Sequence, residues 1–157
     1  MADGESAVSA VLITGCSSGI GRATALRLAR RPGSVVYATA RRPADIADLE
    51  QMGCRTLALD VTDEASMASA VQTIEAAHGA VDVLVNNAGY SQSGAVEAVP
   101  LDRVRAQFET NVFGPLRLTQ LVLPAMRRRR RGTGVNLSSM GCKLVFPGGG
   151  VYQGTKY

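Results

Sequence analysis

Val11-Leu12-Ile13-Thr14-Gly15-Cys16-Ser17-Ser18-Gly19-Ile20-Gly21 is the stretch on which the fold turns. Val8 to Thr14 reads as a buried strand, its continuous apolar run Val11-Leu12-Ile13 fitting a sheet covered on both faces. A glycine-rich turn follows, and Gly21 to Arg31 then carries a helical pattern with Ala23, Ala25, Leu26, Leu28 and Ala29 inward. A strand that passes through glycines into a helix N-terminus presents unpaired N–H groups to a phosphate. Gly15 permits the tight turn, Gly19 keeps side chains away from a pyrophosphate, and Gly21 lets the helix pack close to the strand. Ser17 and Ser18 add hydroxyl donors, with Ile20 opening the helix beside them. The spacing is Gly-xxx-Gly-x-Gly rather than GxGxxG, so the turn alone is weak evidence, and a structural turn with a helix cap is the lesser alternative. Its place between strand and helix favours the nucleotide.

The alternation continues outward. Ser34 to Ala40 reads as a second strand, Ala44 to Met52 as a short helix stopped by Gly53, and Arg55 to Val61 as a third strand. Asp63 to His78 reads as a helix capped near Thr62, with Glu64 and Glu75 outward, and Val81 to Asn86 as a fourth strand. Leu101 to Arg128 is a long helical stretch that Pro115 bends or breaks, and Val135 to Ser138 is a short fifth strand. Strands separated by crossover helices make a parallel sheet. The expectation is an α/β fold with a doubly wound parallel sheet in the order 3-2-1-4-5. Neither repeats nor a linker interrupt residues 1–157, which read as one nucleotide-binding unit.

A hydrophobic share of 46% against 19% charged residues provides for a packed core. The net charge of +4 has a single source, the consecutive Arg127 to Arg131; without them 12 basic residues face 13 acidic ones. The run reads as a solvated helix end, where cations meet the negative end of the helix dipole. The sharper reading, a patch for nucleic acid or an acidic partner, lacks an accompanying aromatic platform or groove-reading motif. Cys16, Cys54 and Cys142 lie far apart and the only histidine is His78, so neither a disulfide framework nor a metal site is expected, and a reducing cytoplasm fits. Met1 to Ser9 lacks the cationic start and apolar core of a signal peptide. No apolar run approaches the ~20 residues of a membrane span.

The residues after the second strand select the nucleotide. An acid there would bind the ribose 2′-OH of NAD and repel a 2′-phosphate. Ala38-Thr39-Ala40-Arg41-Arg42 contains none. Arg41 can hold the 2′-phosphate of NADP by charge-assisted hydrogen bonds, with Arg22 placed to assist, so NADP is expected ahead of NAD. The alternative is a pair of surface arginines.

Thr14 to Gly21, Asn86-Asn87-Ala88-Gly89, Asn111, Ser139 and Tyr152-xxx-Lys156 occur in that order, and together they resemble the short-chain dehydrogenase/reductase family from about Val8 onward. Val36 to Arg42 is similar to the branch containing hydroxysteroid and retinol dehydrogenases. The resemblance implies a Rossmann-type fold and hydride transfer between NADP(H) and an alcohol or carbonyl substrate, in a family whose members are commonly dimers or tetramers. It implies that Asp60 and Val61 touch the adenine, and that Asn87, Ala88 and Gly89 line the nicotinamide-ribose side. The catalytic set it implies is Asn111, holding a helix irregularity and a relay water, Ser139 on the substrate oxygen, Tyr152 as general acid/base, and Lys156, which holds the ribose and tunes the tyrosine.

Elementary chemistry agrees with those roles. Hydride transfer to a carbonyl leaves an oxyanion that needs a proton. A free phenol titrates near pH 10, and making one a base near neutrality takes about 4 kcal/mol of preferential phenolate stabilisation. A lysine four residues after a tyrosine lies one helical turn away on the same face and supplies such a charge. A serine is a neutral donor that polarises a carbonyl. Singly, each has a plainer reading: Tyr152 a packed aromatic, Lys156 a solvated cation, Ser138 and Ser139 a turn pair.

The chain departs from the family in two places. It stops at Tyr157, one residue after Lys156, where the family continues through the rest of a long helix, further strands and a substrate-binding segment. The expectation is therefore a fold lacking its C-terminal part. Its catalytic pair would ride on Gly150 to Tyr157, below the ~12–15 residues at which an isolated helix becomes marginal. An inert cofactor-binding fragment is the alternative, and oligomeric state stays open. Around strand five, the arginines and Gly132-Thr133-Gly134 leave only Val135 and Leu137 apolar. Met140, Gly141 and Val145 read as one wall for an apolar substrate or as ordinary loop packing.

Overall fold

The computed structural model describes residues 8–157, so the reading of the N-terminus lies, for residues 1–7, outside the described residues. Five strands form one parallel sheet: β1 Ser9–Ile13, β2 Ser34–Ala40, β3 Arg55–Ala58, β4 Val83–Asn86 and β5 Thr133–Asn136. Their order is β3-β2-β1-β4-β5, the order expected of the doubly wound sheet. Leu12 stands between Tyr37 of β2 and Leu84 of β4.

Successive side chains of a strand point to opposite faces, and the core divides accordingly. Ala10, Leu12 and Leu84 pack on one face with Met67, Ile74, Leu118 and Val122. Val11, Ile13, Val36 and Val85 pack on the other with Ala25, Ile46 and Leu49. The first face is covered by α3 (Glu64–His78) and α5 (Gly114–Arg129), the second by α1 (Gly19–Ala29) and α2 (Asp48–Gln51). Two further helices, α4 (Leu101–Phe108) and α6 (Gly150–Gly154), flank the carboxyl ends of the strands.

The details correct several expectations. Ala23 is exposed, while Ala25 carries the inward face of α1 and Leu26, Leu28 and Ala29 are partly buried against it. Ala44 to Met52 divides into a 3₁₀ turn, Pro43–Ile46, and the single turn of α2. The cap of α3 is Asp63 rather than Thr62: its carboxylate accepts the N–H groups of Ala65 and Ser66. Thr62 instead donates its hydroxyl to Asp60 Oδ1 at 2.7 Å. The long helical stretch is interrupted before Pro115, by a π turn at Glu109–Phe113. Pro115 follows it, in the first turn of α5.

Strands three and five differ in extent. β3 ends at Ala58, so Asp60 and Val61 lie in the connection beyond it. β5 begins two residues earlier than Val135, and all four of its residues are exposed. Leu137 still donates its N–H to the Asn86 carbonyl at 3.0 Å, so Ser138 and Ser139 leave the sheet immediately after a paired residue. No helix among the described residues is long and apolar enough to cross a membrane.

Candidate active site

A cleft of about 1480 Å³ runs along the carboxyl ends of the strands. On the nucleotide side it is lined by Gly15, Ser17, Ser18, Gly19 and Ile20 from the turn after β1, by Arg41 after β2, and by Asp60 and Val61 after β3. Asn87, Ala88 and Gly89 after β4 form the middle, and Tyr152 and Lys156 close the far side with Leu137 and Ser138. Three anticipated site residues are not among those that line it: Gly21, Asn111 and Ser139.

Gly21 explains itself sterically. A Cβ there would overlap Asn87 Nδ2 and the Gly15 carbonyl oxygen, so α1 approaches β1 as closely as a bare backbone permits. Gly15 adopts φ +73°, and Gly19 adopts φ +57° with open space where a side chain would stand. Ser18 occupies the N-cap without a side-chain capping bond. The first turn of α1, an open glycine and two exposed serines thus face one anion-sized space, which is the donor set a pyrophosphate needs.

Asn87 stitches this turn to β4. Its N–H and that of Ala88 both donate to Thr14 Oγ1 at 3.0 Å, and its Nδ2 donates to the carbonyls of Thr14 (2.8 Å) and Gly15 (3.1 Å). Thr14 was not anticipated as a site residue, although a polar side chain ending an otherwise apolar strand is a readable signal. Beneath the turn, Cys16 is wholly buried, and that burial pushes its thiol up to about 11.

The three arginines near the expected 2′-phosphate have different fates. Arg41 is exposed at the cleft and makes no ion pair among the described residues. Arg42 pairs with Asp45 at 3.0 Å. Arg22, expected to assist, is bound to Asp48, whose carboxyl its guanidinium holds below the ordinary range. Among the described residues the nucleotide side therefore offers one uncommitted guanidinium, that of Arg41.

On the catalytic side, α6 presents Tyr152, and Lys156 follows in the turn after the helix. Lys156 Nζ lies 6.0 Å from the centre of the Tyr152 ring and donates to the Leu137 carbonyl at 2.9 Å. A side chain on Gly89 would approach both Lys156 Nζ and Asn111 Oδ1, so that glycine leaves the space between them open. Ser139 caps the 3₁₀ turn Met140–Cys142, its Oγ accepting the Gly141 N–H at 3.1 Å. Gly141 in turn lies against the Tyr152 ring. Cys142 bonds the Ser138 side chain, which lowers its thiol pKa.

Asn111 occupies the π turn. Its Nδ2 donates to the Tyr90 carbonyl (2.9 Å) and Thr155 Oγ1 (3.0 Å), and its Oδ1 accepts the Tyr90 N–H at 3.1 Å. It thus ties the wall of the cleft to the turn that carries Lys156. Of the residues suggested for a substrate wall, Met140 and Val145 are 77% and 82% exposed, whereas Gly141 is buried.

The arginine run ends α5 and anchors that end to the sheet. Asp82 is only 6% exposed, and its Oδ2 accepts the Ala10 N–H at 2.9 Å. Its Oδ1 takes Arg131 Nη2 at 3.0 Å and lies 3.6 Å from Arg129 Nη1. Arg129 also donates to the His78 carbonyl. Arg130 caps the helix in the left-handed conformation, with φ 53°. Two of the five arginines are therefore committed to a buried carboxylate, a role that neither a solvated helix end nor a phosphate patch describes.

The comparisons with known proteins match this geometry. The family model for short chain dehydrogenase matches residues 9–157. The chain is 41% identical over 94% of its length to 3-ketodihydrosphingosine reductase of Bacteroides thetaiotaomicron, covering 53% of that protein. It is 41% identical over 94% of its length to human retinol dehydrogenase 8, covering 49% of it. Among solved structures, a short-chain dehydrogenase from Streptomyces avermitilis superposes with a TM-score of 0.89 at 43% identity, over 98% of this chain and 57% of that one. A metagenomic short-chain oxidoreductase in complex with NADP superposes with a TM-score of 0.88 at 29% identity, over 96% of this chain and 71% of that one. The chain spans about half the length of the curated relatives it matches. With the order of its strands, the turn from Thr14 to Gly21 and the Tyr152-xxx-Lys156 pair on one cleft, the chain belongs to the short-chain dehydrogenase/reductase family.

Proposed function

We propose that residues 1–157 act as one unit that binds NADP(H) in this cleft and transfers hydride between the nicotinamide and an alcohol or carbonyl substrate. The observation that carries the reading is that Tyr152 and Lys156 line the same cleft as the phosphate turn and Arg41. In this reading the open space at Gly19 and the first turn of α1 take the pyrophosphate, and Arg41 takes the 2′-phosphate. Asp60 and Val61 bound the adenine pocket, and Asn87, Ala88 and Gly89 bound the nicotinamide-ribose side.

When bound, the cofactor supplies the hydride in reduction or accepts it in oxidation. In reduction, Tyr152 Oη donates a proton to the nascent alkoxide and becomes a phenolate, which recovers its proton from solvent. In oxidation the phenolate removes the hydroxyl proton. Lys156 holds the ribose and stabilises the phenolate, Ser139 donates to the substrate oxygen, and Asn111 holds the wall on which Lys156 rests. The names of the relatives refer to retinol and 3-ketodihydrosphingosine, and this supports an apolar carbonyl as the substrate class.

A second reading, cofactor binding without turnover, has one observation in its favour: Ser139, assigned to the substrate oxygen, is not among the residues that line the cleft. NADPH oxidation in the presence of retinal, a 17-ketosteroid and a long-chain β-keto lipid separates the two. The proposal expects turnover that Tyr152→Phe abolishes, with NADPH affinity changed less than about twofold. Equal turnover by the variant would refute the assigned role. Binding with no turnover across the carbonyls would favour the second reading.

A further inference from the structure

Gln107 lies in the last turn of α4, one helical turn before Asn111, and is wholly buried. Its Nε2 donates to the Tyr90 carbonyl at 2.9 Å, the oxygen that also accepts Asn111 Nδ2 at 2.9 Å. Its own Oε1 is buried without a hydrogen-bond partner among the described residues. Such an oxygen weighs against the folded state, and a leucine of similar size would fill the space without that penalty. The useful part of Gln107 is therefore its donor, which is aimed at Tyr90.

The connection runs further. Both hydrogens of Asn111 Nδ2 are used, one on Tyr90 and one on Thr155 Oγ1. Thr155 Oγ1 donates to the Tyr152 carbonyl at 2.7 Å, and Thr155 precedes Lys156. The Tyr90 peptide is thus the fixed point against which Asn111 orients, and Asn111 in turn holds the turn between the two catalytic side chains. Gln107 supplies the second donor to that fixed point. Without it, Asn111 Nδ2 alone would donate to the Tyr90 carbonyl among the described residues.

We infer that Gln107 is a positioning residue for the reaction, acting through Tyr90 and Asn111 on the Tyr152–Lys156 turn. The inference rests on the function proposed above. Gln107→Leu removes the donor and the unpartnered oxygen together. It should leave the thermal midpoint at or above that of the unaltered protein, while kcat falls about tenfold and KM for NADPH moves less than about twofold. Gln107→Glu keeps a donor only while its carboxyl is protonated, so its kcat should recover toward acid pH and fall more steeply than that of the unaltered protein as pH rises.

Amide hydrogen exchange supplies a readout independent of turnover. The Tyr90 and Thr155 amides should exchange about tenfold faster in Gln107→Leu, with the strands unchanged. If the unaltered protein turns over no carbonyl, the proposed reaction fails, and the exchange rates alone decide whether Gln107 positions this turn. Unchanged exchange at both amides, or a lowered midpoint with kcat intact, would overturn the inference and leave Gln107 as packing.

Discussion

On the nucleotide side of the cleft, β1 and β2 bury Ala10 to Ile13 and Val36 to Ala40, whereas on the Tyr152 side all four residues of β5 are exposed among the described residues. The first region is held by close packing, down to a backbone contact at Gly21 that excludes a single carbon. The second is held by individual hydrogen bonds: Lys156 to Leu137, Gln153 Nε2 to the Leu144 carbonyl at 3.0 Å, and Asn111 to Thr155. Packing is cooperative and tolerates little change, while a few hydrogen bonds position side chains without making a core. The family chemistry needs both, a rigid phosphate cradle and a tyrosine held at one place above it.

Two glycines test that contrast most sharply. Neither Gly21 nor Gly141 takes the left-handed backbone, so the available space decides the outcome of adding a methyl group. Gly21→Ala places a carbon on Asn87 and on the Gly15 carbonyl oxygen; it should cost about 3 kcal/mol in denaturant unfolding despite the better helix propensity of alanine. Gly141→Ala meets the Tyr152 ring at 3.4 Å and Gln153 Cγ at 3.5 Å, ordinary contacts, and should stay within about 0.5 kcal/mol. Equal costs would show that the two sides are packed alike.

The cysteines provide a smaller and pH-dependent contrast. The Cys16 thiol is raised from an ordinary value near 9 to about 11 by burial, so the folded state keeps its proton where the unfolded chain has lost it. Its contribution to stability is complete below about pH 9 and is lost as pH rises toward 11, a decline of roughly 2–3 kcal/mol that Cys16→Ala should remove. Cys142 on the catalytic side is shifted the other way by Ser138, and it should react with iodoacetamide well before Cys16 at pH 8. Simultaneous alkylation would mean that the nucleotide side opens as readily as the catalytic side.

The same difference separates what was legible in the sequence from what was not. Strand order and the cradle could be read because buried parallel strands and the glycine turn follow from local pattern: apolar runs, a fixed spacing and the absence of an acid after β2. Residues that act across the fold left fainter marks. Asp82 looks like any acid before a strand until Arg131 folds back on it, and Gln107 looks like a surface helix residue until the Tyr90 carbonyl arrives from another element. Arg22 was placed along the chain to assist Arg41 at the phosphate, but Asp48, 26 residues away, claims it. The π turn also could not come from helix periodicity; Pro115 marked the neighbourhood, while the irregularity itself falls at Glu109–Phe113, around Asn111.

The most direct test of the account is a calorimetric titration of NADPH and NADH into the protein and into Arg41→Asp. NADPH should bind saturably and more tightly than NADH, with the preference lost or reversed in Arg41→Asp while NADH affinity changes little. Absence of nucleotide binding by the folded protein, or a preference unaltered by Arg41→Asp, would contradict the assignment of this cleft to NADP.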